Sequence, residues 1–382
     1  MFGTGPANML EAKVVTAQGE VVVASEYQNE DLFYALRGGG YGFGVVVSIT
    51  VRTHPLPAVI GGTTINFTSK SREGAVLLLS KFLDLYRDQM LGTNWGEQLG
   101  LTKGDDGYRM TVGMLSLLTF GEMVKTWEPL IVWAQQQPEE YSVENPNIFD
   151  IPARGFWDKD YLAEDIGKIP SPYDPKEPTR AFTWGANLGE ISSYWLAYVS
   201  RYLEYNQFLD DTQAGAEKLI ELTEGVGYAG LHLNKAQYGA PEWAVKELDK
   251  TPMHPSIKNS FGLMISASAV GHFSPLVSNE AQRNTSNIMD ILSFCQTNSV
   301  DDCDLSSYYD AVNKFREATP GAGAYFNEAD YNEPDWQNTF WGNENYKRLL
   351  DIKRAWDPEE LFYCHNCVGS EYWEKGGFRR KA

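Results

Sequence analysis

The chain has 382 residues, enough for two or three ordinary domains, and its 43% hydrophobic and 13% aromatic content can fill a large core. No run reaches the about 18 apolar residues that a membrane-crossing helix needs. A net charge of −19 repels phosphate backbones, disfavours nucleic acid as a partner and is accounted for by a solvated acidic surface. Residues 10–15 read as a strand, 17–20 as a turn and 21–23 as the returning strand. A short helix over 31–36 leads into Gly38-Gly39-Gly40-Tyr41-Gly42-Phe43-Gly44. The apolar stretch 45–51 reads as a buried strand, and His54-Pro55-Leu56-Pro57 marks a domain boundary.

Beyond residue 60 longer helices alternate with strands. Val76, Leu79, Leu83, Tyr86 and Met90 share one helical face. Residues 108–118 and 261–270 read as strands; helices are expected near 122–136, 197–208, 213–223 and 279–294. The mixture predicts an α+β fold, a sheet covered by helices. The Pro- and charge-rich stretch 158–180 reads as a surface loop. After residue 321 the character changes: 324–327 reads as a strand, an acidic loop follows, and a helix over 345–356 stops at Asp357-Pro358.

Cys295, Cys303, Cys364 and Cys367 allow three pairings, of which the local Cys295–Cys303 and Cys364–Cys367 set is the simplest. Two sequons, Asn66-Phe67-Thr68 and Asn284-Thr285-Ser286, lean with the even cysteine count towards a secreted glycoprotein. The stretch Met1–Pro6 lacks the charged start and apolar core of a leader, which predicts a natural N-terminus upstream of Met1.

Five glycines within residues 38–44 exceed what a turn requires, and close approach of a ligand explains them better. No register fits the dinucleotide spacing, and the helix precedes the glycines where it should follow them, so a Rossmann site is disfavoured. The Gly-Lys-Ser/Thr of a phosphate-binding Walker loop is absent as well.

The stretch GTGPANMLEAKVVTAQGEVVVASEYQNEDLFYALRGGGYGFGVVVSITVRTHP resembles the second half of the flavin-binding domain of the vanillyl-alcohol-oxidase superfamily (PCMH-type). The tail GAYFNEADYNEPDWQNTFWGNENYKRLLDIKRAWDPEELFYCHNCVGSEYW resembles the C-terminal segment of berberine-bridge-enzyme-like oxidases, especially fungal ones. The resemblance implies an α+β protein in which residues 1–57 form the second half of an FAD-binding domain. Residues 58–324 would form a substrate domain, an antiparallel sheet covered by helices, and 325–382 would return to the flavin domain. It implies FAD as cofactor, lined by Gly3, Asn8, Gly38, Gly39, Gly40, Gly42, Gly44 and Val45, with Tyr325 and Asn327 reaching the ring from the tail. Many relatives attach FAD through an upstream His and Cys. No matching segment precedes Met1, and His54, His232, His254, His272 and His365 lie in other contexts, so covalent attachment does not carry over.

The reaction implied is oxidation of an alcohol, sugar or secondary-metabolite substrate by hydride transfer to flavin N5, with molecular oxygen as acceptor and a monomer as the working unit. A flavin-dependent dehydrogenase and a non-catalytic homologue unable to hold FAD are the alternatives. Such chemistry needs a base for the hydroxyl proton. Tyr325 is the first candidate, although an ordinary Tyr with a pKa of about 10 needs help from neighbours; the plain alternative is a buried aromatic with a satisfied hydroxyl. Strand alternation over 228–234 puts Tyr228, His232 and Asn234 on one face, making His232 a second catalytic candidate against the plainer reading of a hydrogen-bonded strand histidine. Glu328, Asp330, Glu333 and Asp335 read as a solvated acidic turn, without the glycine of a calcium loop. Cys364-His365-Asn366-Cys367 lacks a second ligand pair for zinc, so no metal is expected.

Overall fold

The computed structural model describes residues 2–92, 94–158, 161, 168–170, 182–184, 193–272 and 306–373. The chain opens with a one-turn helix α1 (Gly5–Asn8), then β1 (Met9–Val15), β2 (Val21–Ser25), α2 (Glu30–Leu36) and β3 (Val45–Val51). The three strands form one antiparallel sheet in the order β2-β1-β3. The hairpin forms because Thr16 and Gly19 close the turn that the sequence marks: Gly19 N donates to Thr16 O at 3.0 Å, and Thr16 N to Glu20 O at 2.9 Å. Strand β3 differs from expectation. Its apolar sequence reads as buried, yet all seven residues are exposed, because among the described residues β3 is the edge of the sheet and pairs with β1 alone.

The central part follows as β4 (Val59–Ser69), α3 (Arg72–Leu85), β5 (Trp95–Gly104), β6 (Gly107–Ser116), α4 (Phe120–Gln135), β7 (Tyr141–Pro152) and a short α5 (Ala153–Phe156). Two three-residue strands, β8 (Lys168–Pro170) and β9 (Phe182–Trp184), pair with each other. Then come β10 (Ser193–Glu204), α6 (Tyr205–Phe208), α7 (Thr212–Val226), β11 (Tyr228–Leu233), α8 (Glu242–Leu248) and β12 (Ser260–His272). Seven strands form one antiparallel sheet in the order β10-β12-β11-β5-β6-β4-β7.

Helix limits follow local chemistry. Ser71 caps α3 by accepting from Gly74 N, Thr119 and Glu122 form a reciprocal capping box on α4, and Asp211 caps α7 by accepting from Ala214 N. The helical face read at Val76, Leu79, Leu83, Tyr86 and Met90 is buried along its length, although its last turn widens into a π-helix over Tyr86–Met90. Phe82 stacks on Trp127 at 6.0 Å, and Trp95 meets Trp127 edge-on at 6.2 Å, so one face of the large sheet is sealed by α3, α4 and α7.

The segment 197–208, expected as a helix, is the second half of β10 and the single turn of α6. The tertiary ladder decides: β10 pairs with β12 from Ser193 to Glu204, and long strand pairing overrides weak helical preference. The predicted helix near 279–294, Asn284, and the pair Cys295 and Cys303 lie outside the described residues. Asn66 is half-buried in the middle of β4, between β6 and β7.

The C-terminal part contains α9 (Ser306–Ala318), α10 (Trp336–Trp341) and α11 (Asn343–Trp356). Residues 324–327 were expected as a strand but form an extended entry to a 3-10 turn over Phe326–Glu328. Their backbone caps rather than extends a sheet: Ala324 N donates to Thr339 O and Tyr325 N to Ser200 Oγ. Helix α11 packs on α2 and shares a core with the small sheet through Phe33, Phe43, Trp341, Leu349 and Ile352. Cys364 and Cys367 are disulfide-bonded.

Candidate active site

The open face of the large sheet follows from its register. Tyr202 pairs with Leu263, Leu263 with His232 and His232 with Gln98, so these four stand in one row across β10, β12, β11 and β5. Their chain neighbours Met264, Leu231 and Leu99 point the other way into the helix-covered core. Against the first two members of the row lies a cavity of about 470 Å³, within the size range of small-molecule sites (about 300–1,000 Å³). Its walls combine Gly38, Gly40 and Tyr41 from the glycine run, Tyr202 and Leu263 from the sheet, and Tyr325, Phe326 and Asn327 from the tail. Phe340, Trp341, Lys235 and His254 complete the part that matters for chemistry.

The glycine run is held in place from several sides. Trp341 Nε1 donates to Gly38 O at 2.9 Å. Lys353, buried, donates to Gly42 O at 2.6 Å, to Phe362 O at 2.8 Å and to Asp357 Oδ2 at 2.5 Å. Gly40 has φ +79°, and a Cβ there would sit 3.0 Å from the Phe326 ring; at Gly38, φ +135°, it would sit 2.8 Å from Met253 Cγ. The close approach inferred from sequence is therefore first an approach of the protein's own side chains. Gly39 lies under Leu349 and Gly44 against Val14, away from the cavity.

The other predicted cofactor residues divide similarly. Gly3 borders a neighbouring cavity of about 200 Å³ that shares Thr4 and Lys235 with the first. Asn8 spends its amide on Phe2 O (2.7 Å) and Thr4 O (2.9 Å), and its carbonyl lies 2.7 Å from His54 Nε2. Val45 is exposed on edge strand β3. Gly38, Gly40, Tyr325 and Asn327 are the predicted residues that the fold brings to one cavity.

At its centre, Tyr325 Oη accepts from Asn327 Nδ2 at 2.9 Å, and Asn327 Oδ1 accepts from Tyr41 Oη at 3.2 Å. His232 is one strand further along the row and does not line the cavity. Its Nδ1 is buried without a hydrogen-bond partner among the described residues, and burial with the nearby Lys235 charge lowers its pKa to about 4. Asn234, its neighbour on the same face, is structural: it accepts from Tyr86 Oη at 2.8 Å and donates to Trp95 O at 2.7 Å.

Sequence reasoning missed Tyr202 and His254. Tyr202 was concealed by the helical reading of 197–208; its alternation with Ser200, whose hydroxyl accepts from Tyr325 N, was the available signal. His254 gave only His254-Pro255-Ser256, a short turn. The acidic loop also departs from the solvated turn expected. Asp330 and Glu333 are buried: Glu333 Oε1 meets Arg201 Nη2 at 2.5 Å, and Arg316 Nη2 bridges Glu333 Oε2 and Asp330 Oδ2 at 2.8 Å each. This cluster fastens the tail to β10 behind Tyr325. Among the described residues no group of three or more His, Cys, Asp or Glu side chains is placed to hold a metal.

A family model described as "Berberine and berberine like" matches residues 324–369, the segment that carries Tyr325 and Asn327. The chain is 26% identical over 376 residues to the FAD-linked oxidoreductase ZEB1 of Gibberella zeae, covering 97% of this chain and 56% of that protein. It is 28% identical over 383 residues to the FAD-linked oxidoreductase notD of an Aspergillus species, covering 99% and 53%. Among solved structures it resembles the VAO-type flavoprotein MtVAO713 from Myceliophthora thermophila C1, with TM-score 0.68, 22% identity and coverage of 100% and 60%. Glucooligosaccharide oxidase from Acremonium strictum follows with TM-score 0.62, 17% identity and coverage of 94% and 66%. The fold is thus that of VAO-type flavoproteins. The chain is similar over nearly its whole length to fungal FAD-linked oxidoreductases and carries a berberine-like segment at its C-terminal end, and it spans about half the length of the curated relatives it matches, 56% and 53% in the two named.

The residues present fit the ring of a flavin. A lining that sets Gly38 and Gly40 beside Tyr41, Trp341 and Tyr325 suits a planar heteroaromatic, and the lining also offers hydroxyl and imidazole groups that could hydrogen-bond its polar atoms. For a pyrophosphate the same lining offers one ammonium, Lys235.

Proposed function

We propose that the chain is the substrate-side part of an FAD-dependent oxidase acting on an alcohol, a sugar or a secondary-metabolite substrate. The observation that carries this reading is the meeting of the glycine run, the open sheet face and the Tyr325–Asn327 tail around one cavity. Gly38, Gly40 and Tyr41 would border the cofactor ring, and Tyr325 with Asn327 would stand at its edge. When bound, FAD supplies the acceptor for a hydride leaving the substrate carbon, with molecular oxygen taking the electrons afterwards.

Tyr325 takes the hydroxyl proton. Its Oη accepts from Asn327, which fixes the oxygen at the cavity rim, and it is preferred to His232 because His232 lies off the lining. The sheet face bearing Tyr202 and Leu263 excludes water from the reacting carbon. The bonded Cys364–Cys367 pair supports folding in the secretory pathway, and a monomer suffices, since one chain supplies all of these residues.

The test is the rate of flavin reduction by substrate in FAD-reconstituted protein. Tyr325→Phe should slow it by about 10²–10⁴-fold, the usual contribution of a positioned base. An unchanged rate would remove Tyr325 as the base and return attention to His232.

A further inference from the structure

His254 has features that the flavin reading leaves unused. Its Nδ1 accepts the backbone N–H of Ser256 at 3.1 Å and lies 2.8 Å from Ser256 Oγ, which itself accepts from Gly323 N at 3.0 Å. A ring nitrogen that accepts a backbone N–H carries no proton, so the proton of the neutral ring sits on Nε2. The ring lies against Gly323, where a Cβ would have no room, so its orientation is set from behind as well. Burial, and then the guanidinium of Arg201, hold the imidazole neutral, with its pKa lowered to about 4. The hydrogen bonds of the ring among the described residues all fall on Nδ1, and the side chain lines the cavity. Tyr202 lines the same cavity with its hydroxyl kept protonated by burial and by neighbouring Tyr325 and Glu328.

We infer that His254 is a fixed hydrogen-bond donor that binds an oxygen of the substrate through Nε2–H and does not act as the base. The inference rests on the oxidase reading above. A hydroxyl oxygen can accept from His254 while it gives its own proton to Tyr325. That oxygen is then held on two sides as the carbon loses hydride and the product carbonyl forms. No proton leaves His254 in this step, and the product oxygen still satisfies Nε2–H. A substrate without oxygen at that position displaces water from Nε2–H without replacing its hydrogen bond, which is how the site would select an oxygen-bearing carbon.

The test uses the whole chain labelled with ¹⁵N-histidine, with His254→Gln identifying the signals. At pH 7 the His254 ring should show a proton-bearing Nε2 and a bare Nδ1, and adding benzyl alcohol should shift Nε2 while toluene at equal concentration should not. By tryptophan fluorescence, His254→Phe should weaken benzyl alcohol binding about tenfold, and His254→Gln, which restores a donor, should recover most of it. A proton on Nδ1, a charged ring at pH 7, or an Nε2 signal unmoved by benzyl alcohol would overturn the inference. The oxidase reading fails separately, if added FAD leaves the fluorescence of the cavity unchanged while the His254 spectra behave as stated.

Discussion

Asn327 donates to the hydroxyl of Tyr325 at 2.9 Å while its carbonyl oxygen accepts the hydroxyl of Tyr41 at 3.2 Å, so one exposed amide fixes two phenols at the rim of the cavity. The Tyr325 oxygen is thereby held by Asn327 on one side and open on the other to the proton it takes from substrate. Losing that hydrogen bond frees the phenol to rotate away from the substrate oxygen. Asn327→Leu should therefore slow flavin reduction by substrate by about tenfold. The unfolding midpoint should barely change, since Asn327 is exposed and packs little. Stopped-flow flavin reduction on FAD-reconstituted wild type and variant, with urea unfolding of both, checks the two expectations; an unchanged rate would separate Asn327 from the base.

The cluster behind Tyr325 makes an asymmetric stability prediction. Glu333 serves both Arg201 and Arg316, whereas Asp330 serves Arg316. Burial disfavours the charge on Arg201, and Glu333 is what supports it. Glu333→Gln strips Arg201 of its counter-ion and should cost about 3–5 kcal/mol, the range for breaking a buried pair from one side. Asp330→Asn should cost less, because Arg316 keeps Glu333. Replacing Arg201 and Glu333 together by Met and Leu should recover much of the loss. Urea unfolding of the four proteins gives the ranking.

How much of this was legible in the sequence differs by level. The hairpin of β1 and β2, the long helices α3, α4, α7 and α11, and strands β6 and β12 follow from periodicity, since each has one buried face and clear turn or cap residues. The convergence of Gly38, Gly40, Tyr325 and Asn327 was legible through resemblance alone, because no local pattern says that residues so far apart meet. Strand β10 was misread since its partner β12 lies far along the chain, and pairing rather than local preference decides its state. The burial of Asp330 and Glu333 was invisible for the same reason: their partners Arg201 and Arg316 come from other elements. His254 was passed over because the feature that matters, which ring nitrogen holds the proton, is set by Ser256 geometry that three letters do not reveal.

Two histidines give the fold an acid sensitivity whose sign is fixed. His232 and His254 both have pKa values lowered to about 4 by burial, with Lys235 and Arg201 respectively adding to it. In the unfolded chain each returns to about 6.5. Between these values the unfolded state binds the extra protons, so this stability is fully present above about pH 6.5 and is lost as pH falls towards 4. The urea midpoint should drop between pH 7.5 and pH 5, and His254→Gln should flatten that drop by removing one of the two titrations. An equal slope in the variant would show that His254 is not neutral in the fold.

Strand β3 presents a row of unpaired backbone groups and exposed apolar side chains, among them Val47 (55% exposed) and Ile49 (54%). An edge of this kind recruits a further strand, from another copy if nothing else covers it. The chain alone should therefore self-associate as its concentration rises, and Val47→Lys with Ile49→Lys should return it towards its 42.9 kDa monomer in light scattering. FAD should bind weakly to the same preparation and be lost on gel filtration, because the cavity fits the ring while Lys235 is its one ammonium for the pyrophosphate. Stoichiometric FAD co-eluting with the chain alone would mean that residues other than Gly38, Gly40, Tyr325 and Asn327 dominate its binding.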